Sequence, residues 1–195
     1  MGFQETSVDL RWIMAKKYQD TIITDSEYTI PFDIWDRDSA CALFEFYLYN
    51  MANEKDSPLS YKLDTSLSDE QKSELLTRLL NSAGADESSF ICGRFLNNKL
   101  EEIVKLQLSD QSLNCDRVKG FLQSPNESLS IDILMKRIRD SFAHGRIARS
   151  KDEAFLILED RTKQLTGRIV LHNDTLMKWR DTIVDYWKEA GLCPV

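Results

Sequence analysis

The chain has 195 residues, 42% hydrophobic and 29% charged, with a formal charge of −7, which bounds it to one well-buried domain of ordinary globular composition. No apolar run approaches the ~20 residues needed to cross a bilayer and no charged-then-apolar leader opens the chain, so no membrane is expected and the cytoplasm is the expected compartment. Cys41, Cys92, Cys115 and Cys193 are scattered without a C-x-x-C pair and only two histidines accompany them, so neither a disulfide framework nor a metal site is expected.

The opening MGFQET fits the loose Met-Gly-x-x-x-Ser/Thr acylation pattern, but no basic cluster supports it and one acyl chain binds membranes only marginally. Residues 1–30 are expected to form an N-terminal arm: Val8–Met14 favours a short helix, and Thr21–Thr24 and Tyr28–Ile30 favour extended backbone. From Asp33 to about Asn53 a helix is expected, with Trp35, Leu43, Phe44, Phe46, Tyr47 and Met51 on its buried face. Ser68-Asp69-Glu70-Gln71 reads as a capping box opening a helix through Leu75, Leu76, Leu79 and Leu80 that stops near Gly84. A third helix is expected over Glu87–Leu108, and a shorter one through Arg117, Val118, Phe121 and Leu122 that ends near Pro125.

The segment Ser130–Arg149 organises the rest. Ile131, Leu134, Met135, Ile138 and Phe142 recur at helical spacing and form one buried stripe, and Gly145 stands where a left-handed C-terminal cap is expected. Beyond it the period changes to two, and Ala154–Asp160 and Gly167–His172 read as two antiparallel strands. Asn173 or Asp174 then caps a final helix carrying Leu176, Trp179, Ile183, Tyr186 and Trp187, broken by Gly191 and Pro194. The expected fold class is mainly α: a single domain over 1–195, an antiparallel helical bundle with a small β-hairpin before the last helix.

The residues Arg139-Asp140-Ser141-Phe142-Ala143-His144 resemble the signature of the HEPN superfamily, an arginine followed by a polar residue and, four to six positions on, a histidine. The resemblance implies a HEPN-like helical bundle that dimerises through the motif helices and acts as a metal-independent ribonuclease in toxin–antitoxin, abortive-infection or antiviral defence. Arg146 stands where one subgroup carries a tyrosine two residues after the histidine, so the AMP-adding regulation tied to that tyrosine is not implied. The likeness runs from about Ile131 to Trp187.

The chemistry fits those residue types. RNA cleaves itself when its 2′-hydroxyl attacks the adjacent phosphate, which needs a proton acceptor, a proton donor for the leaving 5′-oxygen and positive charge for the phosphorane, and no cofactor. An imidazole titrating near pH ~6.5 suits His144 to proton transfer, and the planar fork of Arg139 suits it to clamping phosphate. Asp140, one turn before His144, is expected to orient the imidazole. One histidine does not readily serve both transfers, so a homodimer that pairs two motif helices is expected.

Between Lys136 and Lys151 six basic residues (Lys136, Arg137, Arg139, Arg146, Arg149 and Lys151) face one acid, a local +5 that leaves the remainder at −12. Lys136, Arg146 and Arg149 are therefore the expected RNA contacts. Basic residues near a helix end also complement its dipole on a merely solvated face. The alternative function is thus a catalytically inactive HEPN-like module that binds a nucleotide, RNA or a partner protein such as an antitoxin. His172, in a strand with no acid at helical spacing, is read as structural.

Overall fold

In the computed structural model of the chain the described residues are 35–50, 63–94, 118–149, 155–161 and 164–192. The first described helix, α1 (Arg37–Phe44), starts at Asp36, whose carboxylate accepts the Ser39 N–H, and continues as a π-helical turn over Glu45–Asn50. A single turn, α2 (Leu63–Ser66), precedes α3 (Asp69–Ser82), and the capping box at Ser68 and Gln71 forms as the sequence dictates. The motif helix is α4 (Ile131–Ala143), opened by Ser130, whose hydroxyl accepts the Ile133 N–H. The last is α5 (Thr175–Glu189).

Three glycines end three of these helices by one device. Gly84, Gly145 and Gly191 all have φ between +62° and +66°. At each, the following N–H reaches back to a carbonyl of the last helical turn: Ala85 to Leu80, Arg146 to Ser141 and Leu192 to Trp187. This is the Schellman closure, which satisfies carbonyls the helix leaves open and needs a residue without a Cβ in the left-handed region.

The expected helical bundle is overturned by a five-stranded mixed sheet of order β1-β2-β5-β4-β3. Its strands are β1 (Phe90–Gly93), β2 (Lys119–Gln123), β3 (Ile147–Arg149), β4 (Phe155–Arg161) and β5 (Leu165–His172). Only β4 and β5 match the expected hairpin. β1 runs parallel to β2, and every other pairing is antiparallel.

The helix expected from Glu87 is a 3-10 turn, Glu87–Ser89, held by Asp86, after which Phe90 adopts φ −118° and ψ 135° and the chain becomes β1. The helix expected through Val118 and Leu122 is β2. Apolar runs of only four or five residues carry no period that separates strand from helix, and pairing partners far along the chain decide. Here Phe90 stands opposite Gly120, and a Cβ at Gly120 would collide with the Phe90 ring, so the glycine that weakens β2 in isolation makes the β1–β2 pairing. The remainder of the expected third helix, the N-terminal arm, Met51 and Pro194 lie outside the described residues.

One continuous core joins the sheet to the helices. Leu156, Leu158, Ile169, Leu171, Leu122 and Ile147 face Leu134, Met135, Ile138 and Phe142 of α4, and Leu75, Leu79, Trp179 and Ile183 extend the core between α3 and α5. Burying each such side chain contributes about 1.5–3 kcal/mol. The polar tips of the buried aromatics find carbonyls: Trp179 Nε1 donates to Leu79 at 2.8 Å, Tyr47 Oη to Leu176 at 2.8 Å and Trp35 Nε1 to Asn173 at 3.3 Å. Among the described residues no helix is long and apolar enough to cross a membrane.

Candidate functional site

The C-terminal end of α4 is fixed from two sides. Phe142 stacks on Tyr47 with ring centroids 5.4 Å apart and meets Phe44 edge-on at 5.0 Å, which ties this end to the π-helical turn. Burial pushes the Tyr47 phenol well above its ordinary range, so the ring stays neutral at the base of the site.

On the sheet side Arg137 acts as the bolt. Its guanidinium donates to Asp160, to Thr166 Oγ1 at 3.1 Å and to the Gln123 carbonyl at 2.9 Å, while Thr166 Oγ1 also donates to Asp160 Oδ2 at 2.6 Å. Its aliphatic stem passes over Gly167, where a Cβ would lie 3.1 Å from Arg137 Cδ. Arg137, counted in the basic run, is thus turned inward and spent on the fold.

Lys136, Arg139 and Asp140 form one cluster on the solvent side of α4. Arg139 donates to Asp140 Oδ1 through Nε at 2.9 Å and through Nη2, and Lys136 Nζ donates to Asp140 Oδ2. The carboxylate is 8% exposed beneath cations that are 56% (Lys136) and 34% (Arg139) exposed. Burial works against its charge, but the hydrogen bonds and charges of Lys136 and Arg139 outweigh that and hold the Asp140 carboxyl below its ordinary range.

His144 is the C-cap residue of α4, with φ −99° and ψ 3°, and its backbone N–H donates to the Asp140 carbonyl at 3.0 Å. The side chain is exposed, and its ring has no hydrogen-bond partner among the described residues. The Asp140 carboxylate makes no hydrogen bond to His144; its oxygens accept from Lys136 and Arg139 instead. Among the described residues no hydrogen bond joins Arg139 to His144 on this end of α4. Arg146, half-buried, follows Gly145, and its carbonyl accepts the Glu159 N–H at 2.9 Å. Arg149, the last residue of β3, pairs by its backbone with Leu156 of β4, and Lys151 lies outside the described residues.

The second histidine has the carboxylate partner the first lacks. His172 Nδ1 lies 2.8 Å from Asp174 Oδ1, Asp174 also pairs with Lys178 at 2.7 Å, and the imidazole meets Phe155 edge-on. Burial opposes the Asp174 charge, but Lys178 and His172 keep its carboxyl low. Helical spacing did not reveal this pair because it spans the turn from β5 to α5; the His-Asn-Asp run before a helix was its signal. It stands at the opposite end of β4 from Arg146, since His172 pairs with Phe155 while Arg146 bonds Glu159.

The sheet also contains a buried ion pair, Glu159 with Arg168, at 0% and 2% side-chain exposure. Among the described residues no group of three or more His, Cys, Asp or Glu is placed to hold a metal ion. Comparison with protein-family models, curated proteins and solved structures finds no match for this chain.

Proposed function

We propose that the end of α4 is an RNA-cleaving site that works without a metal, His144 moving the proton and Arg139 holding the phosphate. The observation that carries this reading is the exposed imidazole of His144, whose ring has no hydrogen-bond partner among the described residues, at the end of a helix anchored on both sides, with the solvent-accessible cations Arg139 and Lys136 five and eight residues back along it. An exposed imidazole can reach a ribose 2′-hydroxyl or a leaving 5′-oxygen. The resemblance to the HEPN signature supports the reading through these residues, not through the fold.

With a single imidazole at this end of the chain, the second proton-transfer group comes from a second copy, its α4 facing the first across a two-fold axis. Sedimentation at micromolar concentration is then expected to give a dimer. A cytoplasmic setting suits the activity, and restraint by an antitoxin or a defence-system partner fits a ribonuclease acting on cellular RNA.

The pairing of Arg139 with Asp140 favours a second reading, an RNA- or partner-binding module without catalysis. Incubating purified protein with transfer and messenger RNA in EDTA separates the two. The nuclease reading expects cleavage that falls by roughly 10²–10⁴-fold in His144→Ala, the usual weight of a general acid–base residue. Equal cleavage by both proteins assigns the activity elsewhere, and no cleavage by either leaves the binding module.

A further inference from the structure

We propose that Lys136 and Arg139 form a seat for an RNA phosphodiester, and that Asp140 fills this seat in the free chain as a built-in competitor. The inference rests on the RNA-facing reading of α4 and names the device that regulates it. A phosphodiester carries two non-bridging oxygens that share one negative charge, as a carboxylate does. In the free chain one Asp140 oxygen takes Lys136 Nζ and the other takes Nε and Nη2 of Arg139, so the two cations already converge as a phosphate would need.

The geometry separates this role from that of an orienting carboxylate. Asp140 lies four residues after Lys136 and four before His144, and its side chain goes to Lys136. Both cations are accessible while the carboxylate beneath them is not, so an incoming anion meets the cations first. The cations that hold Asp140 stay accessible to solvent, and a phosphate backbone that engages several cations at once competes with the carboxylate for them. Arg139 Nη1 makes no bond to Asp140, which leaves part of the guanidinium fork for the first contact before the side chain swings over.

The test is fluorescence anisotropy with a 2′-O-methyl RNA oligonucleotide, which binds but cannot be cut by 2′-hydroxyl attack. Asp140→Asn keeps the side-chain shape and removes the competing charge, and it is expected to bind about tenfold tighter, with a steeper salt dependence of about 0.7 per phosphate newly held. Asp185→Asn removes the same charge from an exposed site on α5 and is expected to give no such gain. Lys136→Met, at an exposed position, is expected to weaken binding in the wild-type background and to cancel the gain of Asp140→Asn. Unchanged or weaker binding by folded Asp140→Asn overturns the proposal, as does wild-type affinity in Lys136→Met. The oligonucleotide reports no cleavage, so a protein that shows the gain yet cuts no RNA keeps the seat and loses the nuclease, while one that cuts RNA without the gain does the reverse.

Discussion

Asp140 shows what spacing along a helix does and does not specify. Residues four apart are neighbours, and this rule pairs Asp140 equally well with Lys136 or His144. The outcome follows charge, since Lys136 and Arg139 set two basic side chains against the one carboxylate. That Arg139, Asp140 and His144 lie along the last turns of one helix was legible in the spacing, but the partner of the carboxylate was not. A folded-state pKa below the ordinary value means that the pairing stabilises the chain above the unfolded value of about 3.9, and that this contribution disappears as pH falls through the lower folded value. Urea titrations are therefore expected to find wild type more stable than Asp140→Asn near neutrality, with the gap closing as pH drops below about 4. Arg137 makes a sharper case. It is 14% exposed against 6% for Asp160, so Arg137→Ala leaves a carboxylate buried and uncompensated and is expected to cost about 3–5 kcal/mol in the same titrations. Sequence placed Arg137 with the surface cations because nothing local announces that Asp160 and Thr166 wait across the sheet.

Element boundaries set by short-range chemistry were readable, and pairings set by distant partners were not. The capping box at Ser68 and the glycine closures depend on residues a few positions apart, and the start of α3 and the stops at Gly84, Gly145 and Gly191 followed from them. β1 and β2 depend on Phe90 covering Gly120 across a long stretch of chain, and their apolar residues fit helix and strand alike. Two substitutions separate these two uses of glycine. At Gly145 a Cβ would meet nothing within 4 Å, so Gly145→Ala is expected to cost only the strain of positive φ, about 1–2 kcal/mol. At Gly120 a Cβ would lie 2.4 Å from the buried Phe90 ring, so the ring or the strand must shift, and Gly120→Ala is expected to lower the urea midpoint further than Gly145→Ala does. A smaller loss at Gly120 than at Gly145 would contradict the account of the β1–β2 pairing.

At the scale of the molecule, α4 joins the two halves: its buried stripe lies on the sheet, its end is gripped by Tyr47 and Phe44, and Arg137 bolts it to β5 and β4. That arrangement holds the solvent side of its last turn at a fixed place, which is what a site made of one imidazole and one guanidinium requires. The central claim is that this end cuts RNA by 2′-hydroxyl attack, and the end groups of the fragments test it most directly. RNA digested in EDTA by wild type, read against a parallel His144→Ala digest, is expected to carry 2′,3′-cyclic phosphate and 5′-hydroxyl ends that the variant does not produce. Fragments with 5′-phosphate and 3′-hydroxyl ends, or cyclic ends in equal yield from His144→Ala, would contradict it.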